Sequence, residues 1–156
     1  MARWNEFAAE APEMAQAGRA LIYQFGIGLG YLATVRKDGG PRLHPFCPIQ
    51  AAGGLYGLIG PSPKRADLAR NGHFAIHAFP KEESDDEFYL TGRARREHDG
   101  AIRAEVVASY KATGGNTSDD EWLFEFDIER ALLAIYKKRS EGNTWPPKYT
   151  KWAAQA

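Results

Sequence analysis

The densest chemistry in the chain lies in one short run, Ser62-Pro63-Lys64-Arg65, which follows Gly60-Pro61. Ser62 suits a helix N-cap and Pro63 the first helical position. Asn71-Gly72 suits the stop, so a short helix is predicted between them. A helix N-terminus presents unpaired N–H groups and the positive end of the helix dipole. A hydroxyl and two cationic side chains at that end make a cradle for a phosphate. An ordinary capped helix with solvated charges would carry the same residues, and the run alone does not separate the two.

Other groups carry weaker signals. Gly26-Ile27-Gly28-Leu29-Gly30 looks like part of a dinucleotide fingerprint, but Tyr31 stands where the third glycine belongs. It also follows a predicted helix and precedes a strand, the reverse of that fingerprint, so it reads as a helix stop. The histidines are His44, His73, His77 and His98. His73 and His77 have the spacing of a helical metal pair but fall in a predicted strand with no third ligand, so no metal is expected. Cys47 lies between Phe46 and Pro48 and reads as a small core residue with no arrangement to activate it. Arg93 and Arg95 share one face of a strand and Arg96 the other, which gives either a solvated edge or an anion site. No side chain stands out as an obligatory acid or base, so no catalytic residue is named.

The elements that must position these groups follow from periodicity. Phe7, Ala11, Met14, Gly18, Leu21 and Phe25 recur at helical spacing, which predicts a helical segment over 1–26 with Pro12 in its first turn. Strands are predicted at Tyr31–Val35, Pro41–Ile49, Leu55–Ile59, Phe74–Phe79, Glu87–Arg95, Trp122–Ile128 and Ala131–Tyr136. Lys37-Asp38-Gly39-Gly40 and Ala51-Ala52-Gly53-Gly54 are turn signals between strands. Pro45 and Pro48 suit an edge or bulged strand. Ile102, Val106 and Tyr110 mark a later helix with Asp99 as its cap. The tail, 137–156, reads as irregular but aromatic, with Trp145, Tyr149 and Trp152. Short strands with inserted helices and no strict alternation predict an α+β fold, mainly β, built on an antiparallel barrel with flanking helices.

Composition bounds the function classes. The chain has 156 residues, 44% of them hydrophobic, which suits one domain with a real core. Twenty basic residues balance twenty acidic ones, which argues against a general nucleic-acid or membrane binder. A single cysteine excludes a disulfide framework. The start is polar and the apolar runs are far too short to span a bilayer, so a cytoplasmic protein is expected.

The stretch from Gly30 to Phe79 resembles the pyridoxamine 5'-phosphate oxidase-like family of FMN-binding split barrels. The residues that carry the likeness are Leu32-Ala33-Thr34-Val35, the Asp38-Gly39 turn, Pro41-Arg42, a strand, then Ser62 with Lys64 before a short helix. Thr91-Gly92-Arg93-Ala94 is similar too. The resemblance implies an antiparallel split barrel that binds FMN in a homodimer, with two flavins in the clefts between two barrels. Lys64 and Arg65 fall where the family places its basic pair on the FMN phosphate, and Ser62 at the helix-opening hydroxyl. His44 falls where vitamin B6 oxidases carry an arginine near the flavin, and Ile59 would approach the cofactor by its backbone. Those oxidases also carry a C-terminal Arg-x-His signature, which this tail lacks, so that activity is not expected. The resemblance implies a flavin-dependent oxidoreductase on an unnamed small molecule. A deazaflavin-dependent reductase and a non-catalytic flavin or haem binder remain open alternatives.

Overall fold

The computed structural model describes residues 1–155. Its elements, in chain order, are α1 (Trp4–Glu10), α2 (Pro12–Ile22), β1 (Gly30–Val35), β2 (Pro41–Phe46), β3 (Ile49–Ala51), β4 (Gly54–Ile59), α3 (Pro63–Arg70), β5 (His73–Ala78), β6 (Glu87–Arg96), α4 (Gly100–Ala112), β7 (Trp122–Ile135) and β8 (Lys148–Ala153). No helix among these is long and apolar enough to cross a membrane.

The strands form one antiparallel sheet in the order β2-β1-β5-β6-β7-β4-β3, with β8 also paired to β7. Strands β2 and β3 are consecutive, separated by Cys47 and Pro48 alone, yet they stand at opposite ends of that order. Seven flat strands would put those ends about 29 Å apart. The chain from Phe46 to Ile49 reaches about 11 Å at most. The sheet is therefore curled until its two edges meet, which gives the α+β split barrel expected from the sequence. Strand β7 marks the split: Trp122–Glu125 pair with β4, whereas Arg130–Ile135 pair with β8.

Inside the barrel, Leu32, Ile76, Leu90, Phe46, Phe74 and Phe126 pack as one apolar cluster. Alternation along β1 and β6 sends every second side chain into it. A second cluster forms where Val106 of α4 covers Ile49, Tyr56 and Leu123 on the other face of β3, β4 and β7. Helix α2 lies close to the barrel because Gly18 faces Phe88; a Cβ there would stand 2.4 Å from the ring. Glu125 is 1% exposed. A buried carboxylate needs cationic partners, and Arg3 Nε at 2.6 Å and the Arg95 guanidinium supply them.

Four details differ from the sequence reading. The helical segment is two helices, because Pro12 disfavours helical geometry at Ala11, whose φ and ψ are −134° and 63°. The strand expected over Pro41–Ile49 is broken at Cys47-Pro48, where the chain crosses from one sheet edge to the other. The two strands expected over 122–136 are one, since Glu129 is accommodated as a bulge: Thr91 pairs with Arg130 and Gly92 with Ile128. A Cβ at Gly92 would lie 1.9 Å from the Asp127 carbonyl, so the bulge requires glycine. The tail is partly ordered as β8, apart from Ala156, which lies outside the described residues.

Candidate functional site

Strand β4 ends at Ile59, the chain turns at Gly60, and α3 begins at Pro63. Ser62 stands at the cap position with extended backbone, but its hydroxyl donates to the Gly60 carbonyl (2.9 Å) instead of accepting from the helix. The expected side-chain cap is therefore absent. The Arg65 and Ala66 N–H groups reach the Ser62 carbonyl at 3.1 and 3.3 Å. Pro63 has no N–H, and the Lys64 N–H has no acceptor among the described residues. The helix tip thus keeps donor capacity and positive potential.

A cavity of about 250 Å³ opens at this tip. Ile59 and Lys64 line it from β4 and α3, Phe46 and Cys47 from the crossing between β2 and β3. Tyr110 of α4 and Glu121, just ahead of β7, close the far wall. Burial, then the neighbouring Cys47 sulfur, push the Tyr110 phenol well above its ordinary value, so it is a neutral donor. The sequence reading did not include Tyr110 or Glu121. Tyr110 was legible only as a core position of its helix, and Glu121 sits in a polar loop that gives no signal.

The other expected residues lie around this cavity without lining it. Arg65 Nη1 donates to the Asp120 carbonyl at 2.7 Å, and its guanidinium stands 4.4 Å from the Trp122 ring centroid. Arg96 approaches the same ring at 3.7 Å. These are favourable cation–π distances that hold Arg65 against β7. His44 sits on β2 opposite Leu32, half-buried on the same face as Arg42 and Phe46. Its Nε2 is buried and has no hydrogen-bond partner among the described residues.

Helix α3 is held by one carboxylate. Asp67 is 3% exposed. Its Oδ2 accepts from Thr34 Oγ1 (2.9 Å) and Arg42 Nε (2.7 Å), and its Oδ1 accepts from Arg70 Nη2 (3.1 Å). Burial alone would push this carboxyl up. Hydrogen bonds from Arg42, Thr34 and Arg70 outweigh it and hold the group below its ordinary value.

Elsewhere the candidate groups do not converge. His73 and His77 lie on β5, where four residues of strand separate them by roughly 13 Å. Arg95 is engaged by Glu97, Glu125 and Asp127. Trp152 packs on Phe7 at 4.9 Å and donates to Glu10 at 2.9 Å, which is a structural role. A larger concavity of about 380 Å³ lies across β1, β5 and β6, lined by Ala33, Ala75 and Tyr89 among others. It has neither a lysine nor an arginine in its lining, whereas the smaller cavity at α3 has Lys64 together with Glu121.

Neither a family model nor a curated protein sequence matches the chain. Solved structures do. A putative pyridoxamine 5'-phosphate oxidase from Listeria innocua is 19% identical over 76% of this chain and 95% of its own, with a TM-score of 0.61. A haem-binding protein from Mycobacterium smegmatis is 19% identical, with a TM-score of 0.62; the match covers 86% of this chain and 57% of that one. The haem-storage protein HutZ of Vibrio cholerae is 20% identical over 76% of this chain and 89% of its own, with a TM-score of 0.59. The chain has the split-barrel fold shared by pyridoxamine 5'-phosphate oxidase-like proteins. Proteins on this fold include ones named for haem as well as one named as a putative pyridoxamine 5'-phosphate oxidase.

Proposed function

We propose that this chain binds FMN with the phosphate at the tip of α3, and that two chains pair so that a second barrel completes the flavin site. The observation that carries the reading is the cavity in which Lys64, beside an unpaired helix N–H, faces the crossing between β2 and β3. That donor set fits a phosphate. At about 250 Å³ the cavity is smaller than the roughly 300–1,000 Å³ of a complete small-molecule site. It accommodates one end of a cofactor and leaves the ring system for a wall that the partner supplies. In this reading Lys64 and the α3 backbone hold the phosphate, Ser62 and Arg65 border it, the Ile59 backbone meets the ribityl chain, and His44 lies toward the ring. Bound FMN supplies the redox chemistry, and the protein orients it and excludes competing reactions. The protein is then a flavin-dependent oxidoreductase acting on a small molecule in the cytoplasm, a location supported by its single-cysteine composition.

Haem is the second reading, supported by the unpartnered His44 Nε2, since a neutral imidazole nitrogen is a common iron ligand. Titration of the apo-protein with FMN, followed by flavin fluorescence, tests the first reading. Saturable quenching at micromolar protein is the expected result. No change with FMN, together with a Soret band on adding haem that is lost in His44→Ala, would replace it by the second.

A further inference from the structure

We propose that Asp67 is the positioning residue of the phosphate end: its buried carboxylate sets the direction in which α3 points Lys64, and thereby how well the site tells a phosphorylated flavin from an unphosphorylated one. The proposal rests on the FMN reading above. Helix α3 has eight residues, of which Asp67 and Leu68 alone are buried. A helix this short has no independent stability, so tertiary contacts decide its orientation. Leu68 is an apolar pivot, and one apolar contact does not fix rotation about the helix axis. Asp67 does. Thr34 and Arg42 are directly paired in the register between β1 and β2, and both donate to the same oxygen, Oδ2. Arg70, one turn on, donates to Oδ1 and to the Val35 carbonyl. The carboxylate is thus held from two strands and from its own helix.

The consequence reaches the site through helix and strand periodicity. Lys64 is three residues before Asp67, on the same helix face. His44 is two residues beyond Arg42, on the same strand face. The Asp67–Arg42 pair is therefore the polar tie between the element that carries Lys64 and the element that carries His44. If that tie is weakened, α3 loses its link to β2 and keeps Leu68, the Arg70–Val35 hydrogen bond and the Arg65 contacts on the β7 side, so the helix shifts and Lys64 leaves its place in the cavity lining while the β2 wall stays.

The test compares FMN with riboflavin, which lacks the phosphate. In Asp67→Asn, FMN affinity is expected to fall about tenfold while riboflavin affinity changes by less than about twofold. Arg42→Gln, which leaves Asp67 with Thr34 and Arg70, should show a smaller loss of the same kind and carries the test if Asp67→Asn does not fold. A merely structural role would lower both affinities together, and that result, or no change in either, overturns the proposal. Hydrogen exchange on the apo-protein separates this from the FMN reading. Amides of residues 63–70 should exchange faster in Asp67→Asn while those of β5 and β6 keep their protection. If wild type does not distinguish FMN from riboflavin, the FMN reading fails. If exchange over 63–70 is unchanged, the positioning role fails whatever the flavin does.

Discussion

Lys64 and Arg65 are neighbours in sequence, yet their side chains have different surroundings. Lys64 lines the cavity at the tip of α3, whereas Arg65 is spread between the Asp120 carbonyl and the Trp122 ring. A lysine ammonium facing a phosphate makes a charge-assisted hydrogen bond worth about 1.5–3 kcal/mol. Lys64→Ala should therefore weaken FMN binding roughly ten- to a hundredfold and leave riboflavin binding nearly unchanged. Arg65→Ala should cost less, because the guanidinium must first leave Trp122 and Asp120 to reach a phosphate. Isothermal titration with both flavins reads both effects. Equal losses for riboflavin and FMN would show that neither residue touches the phosphate. A loss on Arg65→Ala larger than that on Lys64→Ala would reverse the assignment made from the cavity lining. The sequence alone could not rank the pair, since both are cations in the first turn of one helix. What separates them is Trp122, more than fifty residues away and opposite Ile59 across β4 and β7.

Elements near the site were more legible than those that close the barrel. Strand β1, its hairpin turn, β4, α3 and α4 all follow from local rules: alternation, Asp-Gly turn chemistry, proline at the first helical position and an aspartate cap. Asp99 does cap α4, accepting from the Ala101 and Ile102 N–H groups. The misread elements depend on partners distant in sequence. The break at Cys47-Pro48 makes sense only once β2 and β3 are known to occupy opposite edges. Glu129-Arg130 looks like a turn, and only pairing with β6 shows it to be a bulge in a continuous strand. Lys148 to Trp152 shows no period-2 alternation and follows Pro146-Pro147, so no local pattern marks β8. Because β8 supplies the second partner of residues 130–134 and the strand partner of Ile135, deleting residues 144–156 should expose that edge and the Phe7 ring beneath Trp152. Trp152→Ala alone should cost about 2 kcal/mol, below the 3–5 typical of a fully buried tryptophan because this one is half-buried. Unchanged urea midpoints for both variants would refute the packing role. The Asp67 clasp makes a separate prediction in pH. Its carboxyl is held below the ordinary value, so its contribution is present above the unfolded carboxyl pKa of about 3.9 and is lost as pH falls through the folded value. Wild type should therefore lose more stability than Asp67→Asn on going from pH 5 to pH 2–3 (a range of about two to three units around that value). Parallel pH profiles in urea unfolding would contradict it.

At the scale of the whole molecule, the small volume of the cavity at α3 and the exposed apolar residues both bear on the proposed dimer. Leu43 on β2 is 65% exposed, and Tyr89 on β6 is also exposed. Exposed apolar residues taken singly mean little, but Tyr89 lines the shallow concavity over β1, β5 and β6, Leu43 pairs with its Ala33, and no helix residue among the described residues lines it. Pairing by strand addition along β2 is unfavourable, since Pro41 and Pro45 have no N–H to donate. A partner proposed for this edge would therefore pack on the face of the sheet, side chain against side chain. A second copy is the natural occupant, because most soluble oligomers are symmetric homodimers and a two-fold axis would supply both chains with the missing wall. We expect the protein to scatter light as a dimer, about twice the monomer mass of 17.3 kDa, at micromolar concentration with FMN present. Leu43→Glu, which puts a charge where an apolar face would be buried, should shift it toward monomer and weaken FMN binding at the same protein concentrations. A mass that stays at that of one chain from low to high micromolar protein would rule out the dimer. A dimer that Leu43→Glu splits without any change in flavin affinity would keep the interface but remove the cofactor from it, leaving the cavity at α3 to bind FMN within a single barrel.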